Sequence, residues 1–471
     1  MNCKRYFTGA LAAFMVASSA FMAYAEGPVA NGADPAGLTS APGTGNETAG
    51  VAAAETTAPG PAAETQGSAS EIVTVGENTS VGTVDAGEGK VLAGGNTITA
   101  GGLAGPSAAG ASGTITMGSG MTSGAFSGPG GVSTSSGVTI PAVVGTGDIS
   151  FAGQLTDPIV KVTDKYSYDQ MSRDISSLKS RYGSHLQVKT IGSSLDGRSL
   201  YEMIIGNPNA SKKILFQGAI HAREYIVVPL MMQQLEYLAA GFTNNGTYMT
   251  QPLSNILGQV AFHFVPMLNP DGVTISQMGE NGIQSEELRQ TMQAAYAADK
   301  ASSRTTVSYE EYMRRWKANA RGVDLNYNFA ANWEGINVSL THPSANGYKG
   351  TNPLSEPESQ AIANLIQGTG FNAVINYHAM GNVIYWDTQN NQKAAESKAL
   401  ANAVHALNGY SVLGSKGVGG LKDWLQQAAG IPGITIEVGR STCPVSFSEY
   451  PAIWNQNKAV PATLGYYVAT H

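Results

Sequence analysis

The sequence is short of cysteine, of positive charge and of long apolar runs, and each shortage excludes something. Two cysteines occur in 471 residues, Cys3 and Cys443. Cys3 lies in a stretch, 1–25, with the marks of a secretory signal peptide. Lys4 and Arg5 open it, Phe7 to Phe21 is apolar and small-residue rich, and Ala23-Tyr24-Ala25 supplies a cleavage site. Its removal leaves Cys443 alone, so the exported chain is expected to be held by its core, without intrachain disulfides. Lys and Arg total 27 against 34 Asp and Glu, a formal net charge of −7. No basic run reverses that balance, so nucleic acid is not an expected partner. No later stretch approaches the roughly 18 uninterrupted apolar residues of a membrane helix, so no span is expected in the mature chain. The expected location is secreted, extracellular or cell-wall associated.

A second shortage marks residues 26–150. From Glu26 to Ile149 there is one Lys (Lys90), no Arg and one aromatic residue (Phe126), against a background of Gly, Ala, Ser and Thr. Such a segment buries too little apolar area to offset its ordering entropy. It is expected to be a low-complexity linker or surface arm. Short β-like pieces recur between Gly-rich turns at Ile72–Val75, Asn96–Thr99, Gly113–Thr116 and Val138–Ile140. A small β-solenoid is the alternative there.

Beyond Phe151 the chain has what the arm lacks. Helical and strand patterns alternate through 151–471 as in an α/β domain. A helix is predicted over Tyr168–Tyr182. Strands are predicted over Gln187–Ile191 and Ser199–Ile205, with Asp196-Gly197 as the turn between them. Buried strands follow at Lys213–Ile220, Val260–Met267, Ala373–Tyr377 and Gly433–Val438. Further helices are predicted at Tyr225–Ala240, the first of these amphipathic, then Glu356–Ile366 and Ser397–Leu407. The fold class is α/β, a three-layer α/β/α sandwich around a mixed, mostly parallel twisted sheet.

Among seven histidines, only His221 and His378 directly follow a buried apolar strand. Ligands gather at the carboxyl ends of strands in open α/β sheets, so these two can converge. His221-Ala222-Arg223-Glu224 would place an imidazole and a carboxylate at a strand-to-helix junction. Those are two of the three protein ligands of a catalytic zinc of the His₂Glu type. A surface histidine beside a helix-start glutamate is the bland alternative. His263, inside its strand, reads as a core or sheet-face histidine. Glu437 stands in the apolar strand Gly433-Ile434-Thr435-Ile436-Glu437-Val438, where a carboxylate is costly unless paired or facing a site. Either a buried salt bridge or a general base accounts for it.

The ordered run of motifs resembles the zinc carboxypeptidase family of the carboxypeptidase A type. His221-Ala222-Arg223-Glu224, Asn269-Pro270-Asp271-Gly272, Gly322-Val323-Asp324-Leu325-Asn326, Asn376-Tyr377-His378, Gly420-Leu421-Lys422-Asp423-Trp424 and Thr435-Ile436-Glu437 carry the likeness. It implies a metallopeptidase with one Zn2+ per catalytic domain, held by His221, Glu224 and His378. Glu437 would be general acid/base toward a metal-activated water, and Arg223 would face the substrate. Asn269-Pro270-Asp271-Gly272 resembles a structural turn.

Three departures point away from ordinary protein C-termini. The family's digestive members follow the substrate-binding Asn with Arg, whereas Tyr327 follows Asn326, and a phenol lacks the guanidinium fork. The oxyanion-stabilising Arg that follows a Trp in the family falls on Lys317, which keeps the charge but loses the fork. The mobile tyrosine falls on Ser415, unless Tyr410 or another loop residue replaces it. The position that sets side-chain preference falls on Lys422, which either favours a carboxylate-bearing group or is a solvated loop lysine. The closest branch in motif is that of bacterial γ-D-glutamyl-L-diamino acid endopeptidases, which implies cleavage of the γ-D-Glu–diaminopimelate bond in peptidoglycan stem peptides. The alternatives are a metallocarboxypeptidase of ordinary peptides and a non-catalytic cell-wall-binding module. A monomer is expected.

Overall fold

A computed structural model describes residues 147–336, 340–414 and 419–471, with backbone alone at 92–93 and 96–97. Residues 1–25 and most of 26–150, including three of the four β-like pieces, lie outside the described residues. Of the fourth piece, Asn96–Thr97 pairs antiparallel with Leu92–Ala93.

Eight strands form the main sheet: β1 (Leu186–Ser193), β2 (Ser199–Ile205), β3 (Lys212–Gly218), β4 (Val260–Val265), β5 (Ala373–His378), β6 (Val383–Tyr385), β7 (Ser411–Leu413) and β8 (Gly433–Glu437). Their spatial order is β7-β6-β8-β5-β3-β4-β2-β1. The central ladders β4-β3-β5-β8 are parallel, while β1-β2, β2-β4 and β6-β8 are antiparallel. The expected mixed, mostly parallel sheet is therefore what forms. Parallel strands need cover on both faces, and β3 and β5 supply apolar side chains to both. Ile214, Phe216 and Ile375 join one core, packed by Met171, Ile175 and Leu178 of the helix Tyr168–Tyr182 and by the helix Val227–Thr243. Leu215 and Val374 join a second core with Ile362 and Ile366 of the helix Pro357–Thr369. Each such fully buried side chain contributes about 2 kcal/mol through its removal from water.

The structure corrects the predicted junction around His221. β3 ends at Gly218, three residues short of His221, because Ala219 turns the chain at φ +51°. A Cβ at position 218 would lie 2.5 Å from Met231 Sδ, so only glycine lets the following helix pack this close. Glu224 sits in a 3₁₀ turn, Ala222–Glu224, and the helix proper begins at Val227. That helix is not amphipathic. It is buried on nearly every side, lying between the sheet and the helices Tyr168–Tyr182 and Tyr450–Asn457. Its one buried carboxylate, Glu236, accepts the backbone N–H groups of Ile159 and Val160 at 2.7 and 2.9 Å.

Candidate active site

Three strand ends and two loops bring the site together. His378 and Glu437 close β5 and β8 and are direct register partners, so both side chains leave the same sheet face. The His221 segment is stitched down by its neighbours. Leu268 and Asn269 N–H groups bond the carbonyls of Gly218 and Ala219, and the Ala222 N–H bonds the Lys317 carbonyl at 3.0 Å. The Asn269 side chain caps the helix Pro270–Met278 and donates to the carbonyls of Ile220 and Ala318. The predicted turn is thus a clamp between the His221 and Lys317 segments.

His221, Glu224 and His378 are all buried, and their ligating atoms lie within 4.8 Å of one another. His221 Nδ1 is 2.7 Å from Glu224 Oε1, and His378 Nδ1 is 3.0 Å from Glu224 Oε2. The two Nδ1 atoms face each other at 3.1 Å. Two imidazole nitrogens and a carboxylate converging this closely offer more lone pairs than protons, an arrangement that fits a cation. The surrounding charge says the same. Burial works against a charged His221, yet Glu224 and Asp324 outweigh it and lift the imidazole to about 10. His221 Nε2 faces Asp324 Oδ1 at 3.4 Å, an electrostatic contact longer than a formed hydrogen bond, and Lys317 Nζ lies 3.5 Å from Asp324 Oδ2. The group matches the His₂Glu donor set of catalytic zinc.

Among the described residues, Glu437 makes no salt bridge. Loss of solvent and then the Glu224 charge push its carboxyl up to about 8. A dication at the adjacent ligands would draw that value down.

These groups line one cleft of about 700 Å³. Arg223, Lys317, Asn326, Tyr327 and Lys422 all lie on its wall. Ser415 lies outside the described residues. Tyr410 does not replace it, for it is buried, with its hydroxyl bonded to Gln456 and Asn457. Among the described residues, Tyr327 and Tyr385 are the tyrosines that line the cleft. Lys422 is no solvated loop lysine. Its side chain is 6% exposed, and Nζ donates to Asp423 Oδ1 at 2.6 Å and to the Asp387 carbonyl. The cleft floor is therefore an ion pair rather than a bare cation. Sequence reasoning missed Asp324, Asp423, Arg314, Arg315 and Arg440 as cleft residues. A charge inside the motif Gly322-Val323-Asp324-Leu325-Asn326 was a signal for the first, while nothing local marks the arginines.

The zinc carboxypeptidase family model matches residues 171–459. The chain belongs to the zinc carboxypeptidase family. It is 32% identical over 293 residues to a γ-D-glutamyl-L-diamino acid endopeptidase 1 of Lysinibacillus sphaericus, covering 62% of this chain and 70% of that protein. It is 26% identical over 206 residues to a carboxypeptidase B of Astacus astacus, covering 43% and 57%. Among solved structures, thrombin activatable fibrinolysis inhibitor superposes with a TM-score of 0.50 at 19% identity, covering 67% of this chain and 81% of that one, a likeness of fold. This zinc carboxypeptidase relative is a metallopeptidase, and its His-Glu-His group is where the family's zinc fits. No helix among the described residues is long and apolar enough to cross a membrane.

Proposed function

We propose that this metallopeptidase is exported and hydrolyses the amide bond between γ-linked D-glutamate and a diamino acid in peptidoglycan stem peptides. The observation that carries the reading is the 32% identity to an endopeptidase named for that bond. Two cleft features agree with it. Tyr327 stands where a guanidinium would grip a substrate's terminal carboxylate, so ordinary C-terminal trimming loses its anchor. Lys422 and Asp423 present a buried pair of opposite charges. Diaminopimelate ends its side chain in a carboxylate and an ammonium, which can meet Lys422 and Asp423 respectively.

His221 and His378 through Nδ1, and Glu224 through its carboxylate, are the residues proposed to hold zinc. When bound, zinc supplies Lewis-acid polarisation of the scissile carbonyl and acidifies water. Glu437 takes the proton of the attacking water on its carboxylate and passes it to the leaving nitrogen. Lys317, held near His221 by Asp324, adds positive charge toward the carbonyl oxygen. Asp324 faces the His221 ring from the Nε2 side at 3.4 Å and adds negative charge there. Asn326 Oδ1 accepts the Leu421 N–H at 3.0 Å, which joins the loop carrying Tyr327 to the turn carrying Lys422.

The purified protein incubated with L-Ala-γ-D-Glu-diaminopimelate tests the reading. Chelator-sensitive release of diaminopimelate is expected. Trimming of ordinary peptide C-termini in its place would return the protein to the carboxypeptidase reading.

A further inference from the structure

The chain is acidic overall, yet six cations line the cleft against four carboxylates. Most of these cations are occupied. Lys422 is paired with Asp423 and Lys317 faces Asp324. Arg314 and Arg315 are both clasped by Glu311. Arg440 differs: among the described residues its guanidinium makes no hydrogen bond or ion pair, and it is exposed on the cleft wall.

Its backbone is nonetheless held. Glu449 accepts the N–H of Arg440 at 2.7 Å and that of Ser441 at 3.2 Å. The Gly381 N–H bonds the Gly439 carbonyl at 2.8 Å, tying the loop to the segment just after His378. Gly439 sits at φ +79°, and a Cβ there would meet Val445 Cγ1 at 2.8 Å. Cys443, three residues on, rests its thiol against the carbonyls of Arg223 and Ala379. The loop thus leans on the ligand-bearing segments, and it presents an unpaired fork from a fixed base. An arginine held this way is suited to a carboxylate, which it can bind through two parallel N–H···O bonds.

The substrate reading above assigns no partner to the carboxylate on the acyl side of the scissile bond. A γ-linked glutamate keeps its α-carboxylate free on the acyl side of the scissile bond, whereas the carboxylate assigned to Lys422 belongs to the leaving diamino acid. We infer that Arg440 binds the α-carboxylate of the γ-linked glutamate and thereby selects γ-glutamyl over α-peptide bonds. This rests on the proposed substrate.

The test compares L-Ala-γ-D-Glu-diaminopimelate with the same peptide whose glutamyl α-carboxylate is a primary amide. The expected wild-type preference for the acid, in kcat/KM, is roughly 10- to 100-fold, the range of a hydrogen bond to a charged group. Arg440→Ala brings the acid-to-amide ratio near one, and Arg440→Lys restores part of it. The ratio is read on one preparation, so a loss of folded protein cancels. A wild-type ratio near one, or a ratio that Arg440→Ala leaves in place, overturns the inference while the substrate reading stands. If neither peptide is cleaved, the substrate reading falls and this inference with it.

Discussion

Replacing Lys422 by Met probes the cleft floor. The lysine and Asp423 side chains are 6% and 4% exposed, with Nζ 2.6 Å from Oδ1. Met keeps most of the apolar stem, so little packing is lost and the charge is what disappears. Asp423 would then stay buried with the Gly420 N–H, 3.4 Å from Oδ2, as its remaining donor. Removing one partner of a buried ion pair costs about 3–5 kcal/mol. Water entering from the open cleft relieves part of that cost, which places the expected loss near the lower figure, about 3 kcal/mol. The double variant Lys422→Met/Asp423→Asn removes both charges and should recover most of the stability. Urea unfolding of the three proteins reads these differences directly, provided their m-values agree. In parallel, kcat/KM for diaminopimelate and lysine peptides should show both variants losing their preference for diaminopimelate. A single variant within about 0.5 kcal/mol of wild type, the range of ordinary surface substitutions, would refute the pairing argument.

Other expectations follow from the same geometry. Glu437→Gln keeps the shape of the side chain but cannot carry the proton, so kcat should fall by roughly 10²- to 10⁴-fold; a surviving rate would remove Glu437 from the chemistry. Burial pushes the Glu358 carboxyl up to about 8, and its Oε1 has no hydrogen-bond partner. Because the folded value lies above the ordinary 4.5, the group's stabilising contribution is complete below about pH 4.5 and is lost as pH rises through 8. That interval, at about 1.4 kcal/mol per pH unit, bounds the loss at about 5 kcal/mol. Glu358→Gln should therefore gain on wild type in unfolding free energy between pH 5 and pH 8, and a pH-independent difference would contradict the assignment. Zinc held at 100 times its dissociation constant adds about 2.7 kcal/mol to folding, so a chelator should lower the thermal midpoint, and Glu224→Gln should abolish that response.

The parts of the fold that local pattern determines were legible. Ser199–Ile205 and Tyr168–Tyr182 form the elements their periodicity predicts, at the same boundaries. The His221 junction was not, because a left-handed Ala219 and a one-turn 3₁₀ helix leave no periodic mark. The metal group was readable because His378 closes an apolar strand and His221 follows another by three residues, where a polar side chain needs a reason to be present. Lys422 was ambiguous, since only the folded chain brings the Asp387 carbonyl to its ammonium. Arg440 was invisible for a similar reason: its interest lies in lacking a side-chain partner among the described residues, and no sequence records that.

A metal-dependent cut at the γ-D-glutamyl bond is open to one direct assay. Wild-type protein is given L-Ala-γ-D-Glu-diaminopimelate, with and without a chelator, and the products are resolved by mass. Release of diaminopimelate that stops with the chelator and returns with added zinc is expected. An intact peptide under zinc-replete conditions, from protein that binds the metal, would contradict the account.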